Sequence, residues 1–326
     1  MVRYGLVLGC MMALAALAGQ SPRSDNLIAG RNLMALGQYR EAEAKLLDAA
    51  RDAQESGTGQ AGVVYNDLAT LYHLLGRYPE AEAFYLRALR AWPSGEIEDG
   101  PTRLRILNNL ACLYLNRRDV ARAEQMCRRA QLLKIQAQAS DPLDSARLLI
   151  NLGRIHCARR KYAEAESAYR QAQAIWEGKA GAYPGEVAAV LGNLAVMYSN
   201  AGRPAEAISE MEKSVALART TPHAEPGIAR RLTIVGEWYR LAGRMREAEQ
   251  AFQEALRLAE NSPTPARDYM PELLSSYAAV LRKTDRRTEA KELEARAHTI
   301  RRELARQDSP RYTVDVGDFV SLSSAK

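Results

Sequence analysis

The residues of this chain best able to bind a metal or attack an electrophile are four histidines and four cysteines, and their spacing supports neither use. His73, His156, His223 and His298 form no HExxH or other ligand-spaced set, and Cys112, Cys127 and Cys157 lack the CxxC spacing of zinc and redox motifs. Strings of the Walker A, GxGxxG and GxSxG types are absent. Carboxylates do come in pairs, at Glu41 and Glu43, Glu80 and Glu82, and Glu164 and Glu166, and paired carboxylates are the equipment of general acid and base catalysis. Each pair flanks an alanine and recurs with a fixed period, so it is expected on the outer side of a helix near its N-terminus, where negative charge suits the dipole. His156 is expected in a packed core and Cys127 as a small hydrophobe, with no disulfide among the three downstream thiols. No catalytic residue, cofactor or metal site is expected.

The elements that would position any binding residue are set by a repeat. Anchors at Gly37, Gly76, Arg118, Arg160, Gly202, Gly243 and Asp285 are spaced by 39, 42, 42, 42, 41 and 42 residues. A period in that range marks stacked repeat units. Five positions after the anchors stand Ala42, Ala81, Ala123, Ala165, Ala207, Ala248 and Ala290. Two further small columns contain Ala49, Ala88, Ala130, Ala172, Ser214, Ala255 and Ala297, and Gly30, Ala69, Ala111, Gly153, Ala195, Gly236 and Ala278. Large residues fill complementary columns, among them Tyr72, Tyr114, His156, Tyr198 and Tyr239 four before the anchor, giving one apolar helical face. Pro142 after Asp141 has the form of a capped helix start, and Pro79 and Pro204 fall in the first turns of second helices. No alternating strand pattern appears between residues 25 and 306.

The strings Asn-Leu-Ala at 193–195, Leu-Gly-Arg-Tyr-Pro-Glu-Ala-Glu at 75–82 and Arg-Lys-Tyr-Ala-Glu-Ala-Glu at 160–166 resemble tetratricopeptide repeats. The period near 42 is similar to the long-helix variety found in kinesin light chains. The resemblance implies an all-α, right-handed superhelical solenoid of about seven helical hairpins over 25–306, with repeats near 25–60, 61–101, 102–141, 142–183, 184–225, 226–267 and 268–306. Arg118, Arg160 and Asp285 replace the family's turn glycine, so tighter or strained turns are expected there. Glu294 breaks a column that is apolar in every earlier repeat, which marks 286–306 as a C-terminal cap.

Asparagine is a poor residue for a helix interior, yet Asn109, Asn151 and Asn193 recur nine before their anchors, with Asp67 at the same place in repeat two. An amide that both donates and accepts suits an extended peptide backbone. The resemblance implies that these asparagines face the groove and hold a ligand's main chain; a ladder bridging neighbouring helices is the alternative. Arg105, Arg147, Arg154 and Arg230 are placed on the same inner face, where bidentate hydrogen bonding favours carboxylates, and so an acidic segment or a free C-terminus. The carboxylate clamp of co-chaperones is not reproduced: Thr70 and Ile150 stand where it would continue.

Composition sets wider bounds. The 326 residues are 47% hydrophobic and 26% charged, and a net charge of +6 permits anionic partners without demanding nucleic acid. Residues 1–18 carry Arg3, an uncharged run from Gly5 to Ala18 and a small-residue end, the pattern of a secretory signal and too short for a comfortable membrane span. Export is expected, to the periplasm or the exterior, with 19–24 a short linker and no stable membrane span after cleavage. The tail at 307–326 is expected to be flexible, with a strand-like arm as the alternative. The expected function is a non-catalytic scaffold binding a protein or peptide segment in its groove, the alternative being a structural subunit of an envelope assembly.

Overall fold

A computed structural model of the chain describes residues 25–55, 61–91, 100–136, 141–178, 183–221, 224–261 and 269–307. The expected leader, His223 and the tail from 309 onward lie outside them. The described residues form fourteen helices and no strand. They divide between two compact units, Met1–Ala182 and Tyr183–Lys326, where the sequence suggested one array. The first unit holds hairpins α1 (Asp25–Ala35) with α2 (Tyr39–Glu55), α3 (Ala61–Leu74) with α4 (Tyr78–Arg90), α5 (Gly100–Asn116) with α6 (Val120–Gln136), and α7 (Pro142–Ala158) with α8 (Tyr162–Glu177). The second holds α9 (Pro184–Asn200) with α10 (Pro204–Ala218), α11 (Glu225–Leu241) with α12 (Met245–Glu260), and α13 (Met270–Lys283) with α14 (Arg287–Gln307).

Helix starts follow the sequence signals. Asp141 caps α7, its side chain accepting from the Leu143 N–H at 2.9 Å with Pro142 in the first turn. Pro79 and Pro204 sit where a missing N–H leaves no bond unmade. Each anchor then ends its first helix in the left-handed conformation. Gly37, Gly76, Gly202 and Gly243 have φ of 73°, 74°, 75° and 78°, and Arg118, Arg160 and Asp285 reach 61°, 59° and 59°. The three non-glycine turns are therefore not tighter than the others. They keep the same geometry and bear the steric cost of a Cβ at positive φ. The residue after each anchor donates to the carbonyl five positions before it, as Arg77 does to Tyr72 at 2.8 Å and Asp119 to Tyr114 at 2.8 Å, which closes a Schellman turn.

The small columns are the seams between the helices of a pair. All seven alanines following the anchors are at most 1% exposed, and the other two small columns are buried throughout. Where the first-helix column has glycine, the partner helix fills the space: a Cβ at Gly153 would stand 2.5 Å from the Tyr169 ring, and one at Gly236 2.8 Å from Phe252. Large against small is what native packing density requires. His156 departs from its expected burial, being only half-buried in the column where Tyr72 and Tyr114 are buried.

Hairpins stack through two further contacts. Within each unit the second helix of one hairpin packs on the first helix of the next, and α1 meets α3, α3 meets α5, and α5 meets α7. The first helices of the N-terminal unit thereby form a continuous wall. Polar staples also join successive repeats. Glu43 accepts from Tyr72 Oη and from Arg77 Nη1, each at 2.9 Å, while the Arg77 guanidinium lies 4.3 Å from the Tyr72 ring centroid. Glu82 accepts from Tyr114 Oη at 2.9 Å and Arg122 Nη1 at 2.8 Å in the next repeat. Two members of the carboxylate pairs are thus inter-repeat acceptors as well as favourable charges near a helix start. In the last hairpin Glu294 pairs with Arg282 at 2.7 Å on the same hairpin, half-exposed, where earlier repeats pack an apolar group.

Candidate functional site

The wall of first helices in the first unit is built from α1, α3, α5 and α7, and a polar seam runs along it. Asn109 on α5 is half-buried and donates from Nδ2 to Asn66 Oδ1 on α3 at 3.1 Å. Asn66 donates in turn to Asp67 Oδ1 at 3.4 Å, and Asp67 Oδ2 accepts from Arg31 Nε of α1 at 2.5 Å. Asn151 of α7 donates to the main-chain carbonyl of Asn108 on α5 at 2.9 Å, while Asn108 Nδ2 reaches back to the Asp144 carbonyl at 3.3 Å. The bridging ladder is therefore present in this unit. Asn151 is 5% exposed, which places it inside the wall rather than on its surface, a correction to its expected presentation to a ligand.

The arginines of the wall are held in place. Arg147 donates from Nη1 to Asp144 Oδ1 at 2.8 Å and lies 5.5 Å from the Trp176 ring centroid. Arg154 donates from Nη2 to Asn116 Oδ1 at 2.7 Å and from Nη1 to Cys112 Sγ at 3.3 Å. Arg105 stands between the charges of Asp67 and Asp144, with its Nε buried and without a hydrogen-bond partner among the described residues. Burial pushes the Asp67 and Asp144 carboxyls above the usual carboxylate range, and the neighbouring guanidiniums oppose this: Arg31, then Arg105, for Asp67, and Arg147, then Arg105, for Asp144. Arg147 Nη1 and both Nη atoms of Arg154 thus already serve the wall.

Two predicted residues lie in the second unit. Asn193 on α9 is half-buried, and its amide makes no hydrogen bond with another described residue. Arg230 on α11 is half-buried with its guanidinium 5.4 Å from the Tyr269 ring centroid. The structure thus brings Asn109, Asn151, Arg105, Arg147 and Arg154 together on α5 and α7, while Asn193 and Arg230 belong to the second unit.

Sequence reasoning missed Asp144, Asn116 and His73 as partners of the wall. Asn116 Nδ2 meets His73 Nε2 at 2.7 Å. A signal for such pairs was present: Asn66 with Asn109, Asn108 with Asn151 and His73 with Asn116 are 43 residues apart, and Cys112 with Arg154 is 42. One repeat period places two residues side by side on neighbouring first helices. Among the described residues no group of His, Cys, Asp and Glu is gathered to hold a metal, and no helix is long and apolar enough to cross a membrane.

Known proteins of the same architecture carry the comparison further. Family profiles described as Tetratricopeptide repeat match residues 24–94 and 186–261, and, in a second version, 103–130 and 145–182. No curated protein sequence matches the chain. Among solved structures, apo RapI shares the fold at 12% identity, covering 86% of this chain and 98% of its own, with a TM-score of 0.61. A Rap protein complexed with Competence and Sporulation Factor gives 14% identity, 86% of each chain and a TM-score of 0.58. A putative kinesin light chain with nearly identical repeats, from Podosopora anserina, gives 21% identity, 65% of this chain, 100% of its own and a TM-score of 0.50. With buried small columns and left-handed anchor turns in all seven hairpins, and profiles matched over most of residues 24–261, the chain belongs to the tetratricopeptide repeat family, in its long, kinesin-light-chain-like form, and is a helical-repeat scaffold for protein interaction.

Proposed function

We propose that this chain is an exported, non-catalytic scaffold whose first unit holds an acidic peptide segment or a free C-terminus along the wall of its first helices. The observation that carries this reading is the set Arg105, Arg147 and Arg154 on adjacent helices: each is half-buried, Arg147 and Arg154 are fixed from behind by hydrogen bonds, and Arg105 is held between two carboxylates. Guanidiniums already fixed in place lose little freedom on meeting a carboxylate, which favours affinity and selectivity together. With Arg31 they set four positive charges against the two buried carboxylates Asp67 and Asp144, so the wall stays cationic. Asn109, half-buried on the same helix as Arg105, is placed to meet a main chain, and Asn151 positions α7 against α5. Asn193 and Arg230 offer an amide and a guanidinium on the second unit. The Rap neighbour solved in complex with Competence and Sporulation Factor supports ligand holding by this architecture.

The test is an array of acidic and C-terminal peptides followed by fluorescence anisotropy. Binding is expected to weaken with salt, and Arg105→Gln combined with Arg147→Gln is expected to lower affinity by about 10–100-fold, from the loss of charged hydrogen bonds. Equal affinity in the double variant overturns the proposal. Export is tested by fractionation and N-terminal sequencing, with a mature chain beginning near residue 19 expected and an intact leader in the cytoplasm contradicting it. The second reading, a structural subunit, draws on Leu132 and Ile135, 60% and 75% exposed one turn apart on α6. Self-association on sedimentation, abolished by Leu132→Ser with Ile135→Ser, would favour it.

A further inference from the structure

We propose that Arg231, on α11 of the second unit, is the floor of a separate binding site that takes a small carboxylate anion. The first observation is its burial. Arg231 is 1% exposed and is the one arginine among the described residues to be buried. Its column places Val64, Ile106, Leu148, Val190 and Leu273 in five other first helices, all buried, and α11 itself packs against α10 and α12. A guanidinium in such a place opposes folding until an acceptor meets it. No described carboxylate does so. Burial is the sole influence on its pKa, which at about 10 leaves the group charged at neutral pH.

The second observation is which of its atoms lack an acceptor. Nε and Nη2 are both buried and both without a hydrogen-bond partner among the described residues. These two nitrogens share one edge of the guanidinium and point parallel N–H bonds outward, so the edge fits both oxygens of a single carboxylate. Elsewhere the protein uses the same edge in that way. Arg240 donates from Nε to Glu237 Oε2 at 2.8 Å and from Nη2 to Glu237 Oε1 at 2.6 Å. Arg282 donates from Nε to Glu294 Oε1 at 2.8 Å and from Nη2 to Glu294 Oε2 at 2.7 Å. For Arg240 and Arg282 the carboxylate belongs to the chain. For Arg231 it comes from solution.

The burial also limits the size of the occupant. A residue 1% exposed is reached by a small free anion and not by an extended peptide, so the site differs in kind from the wall of the first unit. Its selectivity follows from shape: two aligned donors match a planar carboxylate better than a spherical chloride. With the anion in place the guanidinium is paired, and the hairpin of α11 and α12 is stabilised by its ligand through mass action.

Wild type and Arg231→Leu are unfolded thermally in rising sodium acetate, followed by circular dichroism, with sodium chloride holding the ionic strength constant. Acetate is expected to raise the wild-type midpoint by about 3–6 °C for each tenfold rise above its dissociation constant, and to leave Arg231→Leu unmoved. The arginines of the first unit are common to both proteins, so acetate held there cancels in the difference. Arg231→Lys keeps the charge and loses the fork, and a smaller shift than in wild type is expected. Arginine Nε–H signals in nitrogen-15 spectra give a second readout on the wild type alone, the Arg231 signal being the one missing from Arg231→Lys. A saturable shift of that signal with acetate is expected. An acetate effect equal in wild type and Arg231→Leu overturns the proposal, and so does an Arg231 signal that acetate leaves in place. Stabilisation by phosphate with none by acetate overturns it as well, because the site would then not be one for a planar carboxylate.

Discussion

Arg231 offers the sharpest test of the packing logic. Twelve residues before the anchors, the first helices place Val64, Ile106, Leu148, Val190 and Leu273, all at most 5% exposed; repeat six places Arg231, itself 1% exposed. Its Nε and Nη2 have no hydrogen-bond partner among the described residues, and burial alone lowers its pKa from the ordinary arginine value to about 10. That depression corresponds to about 3 kcal/mol of penalty on the charged form. The sign is fixed by linkage: a folded pKa below the unfolded one means that the charged side chain opposes folding, in full at pH 7, and that the opposition is relieved only as pH rises through about 10. Arg231→Leu restores the column. Replacing an unpaired buried cation by an apolar group of similar reach is expected to stabilise the protein by about 1–4 kcal/mol. Urea unfolding followed by circular dichroism, at pH 7 and again near pH 10, measures it: the advantage of Arg231→Leu should be largest at pH 7 and shrink toward pH 10 and above. A loss of stability in Arg231→Leu at pH 7, with the slope of the transition unchanged, would refute the reasoning and mean that the guanidinium has a partner worth more than its burial costs.

Further outcomes follow from the same geometry. Arg118→Gly and Arg160→Gly remove a Cβ from positive φ at exposed turns and should each stabilise by about 0.5–1 kcal/mol in thermal or urea unfolding, whereas a loss would mean the arginines hold the turns by their side chains. Gly153→Ala drives a methyl into the buried Tyr169 ring and should destabilise by about 1–3 kcal/mol despite alanine's better helix propensity. Tyr72→Phe deletes one arm of the Glu43 staple and should cost about 1 kcal/mol in wild-type protein but much less in a Glu43→Gln background, a coupling readable in a double-mutant cycle. For Asp144 the folded pKa is raised, chiefly by burial, so its favourable contribution is complete below the unfolded value and is lost as pH rises through the folded one. The stability of wild type relative to Asp144→Asn should therefore decline from pH 3 to pH 7 in urea titrations, and a rise over that range would contradict the assignment.

Much of this architecture was legible because it is written seven times. A single alanine five residues after Gly76 says little, but the same alanine after every anchor can only be a packing seam, and all seven are buried. The turn at Arg118 was misjudged as tighter from the residue type, since its geometry is dictated by its place in the repeat and not by the residue's preference. The candidate wall was legible in part. Recurring asparagines in mid-helix marked the helices that carry the polar seam, yet their partners were hidden because hydrogen bonds such as Asn109 to Asn66 depend on how neighbouring repeats are stacked, and not on local pattern. The partner of Arg154 was hidden for the same reason, Asn116 lying most of a repeat away, whereas Asp144, one turn before Arg147 on the same helix, was a local signal that went unread. The division into units at 182 and 183 left no mark in the repeat pattern, whose period continues across it.

The proposed role is tested most directly by asking which face meets the partner. A photoreactive amino acid is installed at Asn109 on α5 and, in a second variant, at the exposed Gln131 on α6, and each protein is irradiated with its native compartment's contents. Capture of one partner from position 109, competed by an acidic peptide and absent from position 131, is the predicted result. Capture of that partner from 131 with none from 109 would contradict the account, since it would assign recognition to the outer helices.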